Sequence, residues 1–96
     1  YDADSWAKVM LRDEVGAVLE AGRAAIAGAE PWDVVTIENA LRALPEELGI
    51  GAGKVFQPLR VAVTGSSVSP PLFESITALG RDRTLERIDR ALRELG

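Results

Sequence analysis

The chain contains no histidine and no cysteine. It therefore lacks the commonest acid–base group, the commonest metal ligand and any thiol nucleophile. What remains for chemistry is carboxylates, hydroxyls, two lysines and nine arginines. No pair of carboxylates stands apart from ordinary helix-surface charge, which argues against an enzyme in its own right. Gly49, Gly51, Gly53 and Lys54 invite comparison with a phosphate-cradling loop. Such a loop would need glycine where Leu48 stands and a hydroxyl where Val55 stands, so the stretch reads as an interhelix connection. Arg60 is harder to set aside. It lies among Leu59, Val61 and Val63, where an unpaired charge is costly, so its guanidinium must reach water or a partner. Arg81, Arg83, Arg87, Arg90 and Arg93 form a second basic group. Asp82, Glu86, Asp89 and Glu94 lie within pairing distance along the same stretch, so it reads mainly as a solvated helix face.

Ninety-six residues, 47% hydrophobic and 27% charged, suit one small soluble domain. A core this small has thin margins and, without cysteine, no covalent staple. Apolar residues recur at helical spacing along most of the chain. Ser5 is positioned to cap a short helix carrying Trp6, Val9 and Met10, and Asp13 to cap a second carrying Val15, Val18, Leu19, Ala25, Ile26 and Ala29. Gly28, Glu30 and Pro31 should end it. Asp33 should cap a third helix, with Val34, Ile37, Leu41, Leu44 and Leu48 on one face, interrupted or restarted at Pro45 and stopped by Gly49. From Lys54 to Gly65, Leu59, Val61 and Val63 alternate as in a strand. No partner strand is visible, so a helix beginning near Gly53 and tolerating Pro58 in an early turn is expected. Pro71 can open a helix carrying Leu72, Phe73, Ile76 and Leu79, closed by Gly80. Asp82 should cap the last one, whose Leu85, Ile88, Leu92 and Leu95 form a seam. The expected fold is an all-α small helical bundle or cage. Trp6 and Trp32 read as packing residues. Taken on spacing alone, so do Phe56, Leu72 and Phe73.

The segment from Gly53 to Gly65, with its Pro58-Leu59-Arg60 and Thr64-Gly65 pairs, continues through Ser69-Pro70-Pro71-Leu72-Phe73-Glu74 to Leu79-Gly80. Together with Leu85-Glu86-Arg87-Ile88 and Ala91-Leu92, it resembles the C-terminal end of bacterial glutamyl-tRNA synthetases over about residues 54–92. Upstream, Trp32, Ile37-Glu38, Leu41 and Leu48-Gly49 match more loosely. The resemblance implies the C-terminal anticodon-binding subdomain of a class I aminoacyl-tRNA synthetase, with residues 1–96 as a single domain. It also implies that the chain is a piece of a longer enzyme, an expectation shared by its start at Tyr1. In that family the arginine of the Pro-Leu-Arg segment and the Ser/Thr-Pro-x-Leu-Phe stretch contact the first two anticodon bases. Those positions are Arg60, Ser69, Pro70, Leu72 and Phe73 here, with Lys54 as a further candidate for a backbone phosphate. ATP and magnesium would act on a catalytic domain elsewhere, with no cofactor on this chain. The implied partners are tRNA and the remainder of the synthetase. The protein would be a cytoplasmic monomer without a membrane. The chemistry is sound in itself. Anticodon bases are unpaired and can be splayed out, a guanidinium can stack on a base while bonding its edge, and apolar side chains offer stacking faces.

A competing reading is a helical protein–protein interaction module that uses the Leu85/Ile88/Leu92/Leu95 seam. Net charge bears on the choice. The total of −4 and pI near 4.8 exclude indiscriminate nucleic-acid binding. The charge is unevenly spread, however. Residues 1–50 carry 4 basic and 10 acidic side chains, net −6, and residues 51–96 carry 7 and 5, net +2. No acidic residue lies between Leu48 and Phe73, where Lys54 and Arg60 sit. The expectation is an acidic helical part followed by a base-reading part with a locally favourable potential.

Overall fold

A computed structural model describes residues 3–66 and 71–96, and among these every regular element is helical. α1 (Ala3–Ser5) runs into a π-helical turn (Trp6–Met10). It is followed by α2 (Val15–Ala27), α3 (Val34–Arg42), α4 (Leu44–Leu48), α5 (Ala52–Thr64), α6 (Leu72–Leu79) and α7 (Arg81–Leu95). The all-α expectation holds. Among the described residues no helix is long and apolar enough to cross a membrane.

α5 is the central element, packed against the π turn, α2, α4, α6 and α7. Its Val55, Pro58, Leu59, Val61, Ala62 and Val63 are all buried. Val55, Pro58, Leu59 and Ala62 keep helical spacing. Val61 and Val63 are buried beside them because the helix is covered on several sides, which is why the stretch alternates like a strand in the sequence. Pro58 sits well inside α5 rather than in an early turn, because the helix starts at Ala52. Its ring denies the Lys54 carbonyl the usual donor four residues on, and its burial among apolar neighbours offsets part of that loss. Gly22 of α2 lets α2 and α5 approach closely. A Cβ there would lie 2.5 Å from Leu59 Cδ2.

Asp33 caps α3 as expected, its Oδ1 accepting the Thr36 N–H at 2.8 Å. Pro45 falls in the first turn of α4 after a break at Ala43, and Gly49, at φ 69°, stops that helix. Three expected caps are corrected. Ser5 closes α1 instead of opening a helix, because helical backbone begins at Ala3. Asp13 lies before Glu14, the residue at the α2 cap position, and no side chain caps that end. Asp82 is one residue inside α7, where its charge suits the helix dipole, because Gly80 already turns the chain. Gly80 adopts φ 89°, ψ 161°, a conformation open essentially to glycine alone, and so joins α6 to α7 through a single residue. The buried Thr84 fastens this joint, its hydroxyl donating to the Gly80 carbonyl at 2.8 Å with the Ile76 carbonyl at 3.4 Å.

The α7 seam faces inward: Ile88 is fully buried, and Leu85, Leu92 and Leu95 pack on the core. That takes away the surface on which the interaction-module reading rests. The arginines of α7 are also less purely solvated than expected. Arg81 donates to the Ala29 carbonyl and to Glu30 Oε1 at 3.0 Å, and lies 5.0 Å over the Trp32 ring. Trp32 in turn donates its indole N–H to the Thr77 carbonyl at 3.3 Å, in keeping with a packing role. Asp89 pairs across to α2, accepting from Arg23 Nε at 2.6 Å and Nη2 at 3.2 Å.

The hydrogen bond from Arg23 holds the Asp89 carboxyl below the usual aspartate range, helped against partial desolvation by the charges of Arg23 and Arg93. A carboxyl lowered in the native state stabilises the fold above its unfolded value of about 3.9, and that contribution is lost as pH falls through the native value. The difference in urea midpoint between the wild type and Asp89→Asn should therefore be constant near neutrality. It should shrink below about pH 4 and vanish once both states are protonated.

Candidate nucleic-acid interface

Phe56, Phe73 and Arg42 meet where α3, α5 and α6 come together. Phe56 and Arg60 are four residues apart on α5 and so share a face. Both are half-buried. Phe73, in the first turn of α6, meets Phe56 edge to face, with ring centroids 5.8 Å apart at 87°. Arg42, the last residue of α3, brings its guanidinium carbon to 5.4 Å from the Phe73 centroid. Its Nε donates to Glu38 Oε2 at 2.6 Å, one helical turn back. Three helices thus converge on Phe73.

The end of α5 is closed with some care. Gly65 takes the left-handed conformation at φ 83° and donates its N–H to the Val61 carbonyl at 2.9 Å. Thr64 Oγ1 donates to the Arg60 carbonyl at 2.7 Å and accepts the Ser66 N–H at 3.3 Å. Arg87 donates to the Val63 carbonyl at 2.6 Å. These contacts satisfy carbonyls that a helix terminus would otherwise leave without donors. They also fix where α5 ends.

Of the residues singled out in the sequence, Phe73 meets Phe56, and Arg60 lies one turn along α5 from Phe56 on the same face. Leu72 is 3% exposed, so its side chain packs in the core and braces the start of α6. Ser69 and Pro70 lie outside the described residues. Pro71 stands at the head of α6, its carbonyl accepting from the Ser75 N–H at 3.1 Å and the Ser75 hydroxyl at 2.6 Å. Lys54 is exposed in the first turn of α5. It is six residues before Arg60, which places it about 120° around the helix and about 9 Å along it. There it borders a hollow of about 320 Å³ together with Arg12 and Gln57, apart from the Phe73 edge. Sequence reasoning misses Arg42 and assigns Phe56 to the core. The i, i+4 pair Glu38–Arg42 is visible, but nothing local to α3 shows that it ends beside Phe73. Among the described residues no acidic, histidine or cysteine cluster could hold a metal ion.

The chain is similar to known proteins over most of its length. A family model described as "Anticodon binding domain" matches residues 1–92. The chain is 53% identical over 75 residues to a glutamate–tRNA ligase of Roseiflexus sp. (strain RS-1), covering 78% of this chain and 15% of that protein. It is 52% identical over 86 residues to a glutamate–tRNA ligase of Mycobacterium bovis (strain BCG / Pasteur 1173P2), covering 88% and 17%. A crystal structure of a glutamate tRNA ligase from Elizabethkingia meningosepticum, in complex with its amino acid, superposes with a TM-score of 0.89 at 25% identity, covering 100% of this chain and 19% of that one. The chain therefore spans less than a fifth of the length of the proteins it matches.

Proposed function

Because this chain belongs to the anticodon-binding domain family, we propose that it docks the anticodon loop of a glutamate tRNA for a glutamate–tRNA ligase, supplying recognition and no chemistry. What carries this reading is the contact of Phe73 with Phe56, one turn along α5 from Arg60, in a chain matched by that family over residues 1–92. Arg60 lends a planar cation that stacks on a splayed base and bonds its edge. Phe73 lends an apolar ring, and such contacts are worth about 1–3 kcal/mol per base. Ser69 supplies a hydroxyl to a base edge. Pro70 stiffens the loop, so less entropy is lost on docking. Leu72 acts from beneath, holding the first turn of α6 in place. Lys54 meets a backbone phosphate further along the strand. Residues 1–96 work as one domain, the acidic residues 1–50 buttressing the base-reading residues 51–96. The protein acts as a cytoplasmic monomer in which the rest of the synthetase does the chemistry.

Few phosphates are neutralised in this arrangement. Titrating the chain with a glutamate tRNA transcript at several salt concentrations should give a shallow dependence, with a slope of about −0.7 per contacted phosphate and about −1.5 in all. A slope steeper than about −4 would mean that binding is dominated by phosphates, against the proposal.

A further inference from the structure

Arg42 belongs to none of the motifs above, yet it covers the residue on which they converge. Its guanidinium lies over the Phe73 ring at 5.4 Å while its side chain remains 58% exposed. Glu38 takes the Nε donor at 2.6 Å and sets the orientation of the plane. With Phe56 against the same ring edge to face, a base approaching Phe73 from the α3 side meets the guanidinium before it meets the ring. We propose that Arg42 is a further RNA-contacting residue: its guanidinium, seated on Phe73 and steered by Glu38, is the outer platform on which an unpaired base of the bound loop stacks. This rests on the anticodon-loop reading above and names a residue of that same site.

The pairing with Glu38 decides which part of the RNA is met. A phosphate approaching Arg42 also approaches the Glu38 carboxylate, so the attraction is largely cancelled. A base has no net charge to be repelled and gains from a planar, weakly hydrated cation. The layering is then Phe73, Arg42, base. Arg42 comes from the acidic first half of the chain, so the reading surface is built across both halves.

The test is a fluorescence titration of the full chain with an anticodon stem–loop RNA of glutamate tRNA, using Arg42→Ala, Arg42→Lys and Arg60→Ala. Arg42→Ala should weaken binding roughly five- to tenfold, at the low end of stacking contacts, with the salt slope unchanged. Arg42→Lys keeps the charge and loses the plane, so it should bind as weakly as Arg42→Ala. Wild-type affinity in Arg42→Ala, with Arg60→Ala weakened, would overturn the role of Arg42 and leave the anticodon reading standing. Full affinity in Arg42→Lys, with a shallower salt slope in Arg42→Ala, would make the contact electrostatic and overturn the platform. Wild-type affinity in both alanine variants would overturn the anticodon reading itself. Thermal melts of each variant separate these results from loss of fold.

Discussion

Replacing Gly22 with valine should lower stability by about 3 kcal/mol, at the upper end of what overpacking a small core costs. A Cβ at this position falls 2.5 Å from Leu59 Cδ2 and 3.2 Å from Cδ1, and Leu59 is fully buried. It therefore cannot swing into solvent, and either its side chain repacks within a filled core or α2 and α5 part. Valine recovers only a few tenths of a kcal/mol of helix propensity over glycine. For a chain of this size the loss corresponds to a fall in Tm of about 10 °C or more. Gly16 lies on the same helix, and a Cβ added there would meet nothing within 4 Å. Gly16→Ala should raise stability by up to about 1 kcal/mol. A thermal melt of both variants checks the pair, and equal effects would contradict a close approach specific to Gly22. Leu59 precedes Arg60, so if α2 and α5 part, the base-reading residue shifts as well, and RNA binding of Gly22→Val below its melting temperature shows which of the two occurs.

Replacing Arg60 with alanine should weaken tRNA binding by about 2–3 kcal/mol, roughly 30- to 150-fold. That loss combines a charge-assisted hydrogen bond with a stacking face. In the complete synthetase it should appear as a raised KM for tRNA with kcat nearly unchanged, the pattern of a group that binds without taking part in chemistry. Arg60→Lys should not restore binding, because an ammonium has neither the plane nor the fork of donors. A variant with equal KM and a lowered kcat would remove Arg60 from the recognition surface.

How legible the fold is in the sequence depends on whether a feature is local. Asp33, Gly49, Gly65 and Gly80 act within a turn of their own position, and each is readable from residue type alone. The start of α2 is not, because no side chain caps it. Asp82 resembles a cap in the sequence because helix starts commonly carry a capping side chain, whereas here Gly80 alone makes the break and α7 begins at Arg81. α5 looks like a strand because Val61 and Val63 are buried beside its Val55/Pro58/Leu59/Ala62 stripe, so packing on several sides overlays the helical spacing. The site shows the same division. Arg60 and Phe73 stand in contiguous motifs and can be named. Arg42 and Phe56 meet Phe73 only because α3 and α5 both pack on α6, and sequence spacing carries no trace of that. The arginines of α7 read as solvated because the acceptors of Arg81 and Arg87, the Ala29 and Val63 carbonyls, lie 52 and 24 residues away.

The central claim is that this chain reads bases and does not merely attract phosphates. The most direct measurement is the dissociation constant for a glutamate tRNA transcript and for transcripts with the first or second anticodon base replaced, each against the wild type and Arg60→Ala. The wild type should lose about tenfold or more on at least one replacement, the scale of one stacked and hydrogen-bonded base. Arg60→Ala should bind the native and that substituted transcript alike. Equal wild-type affinity for all the transcripts would contradict the account.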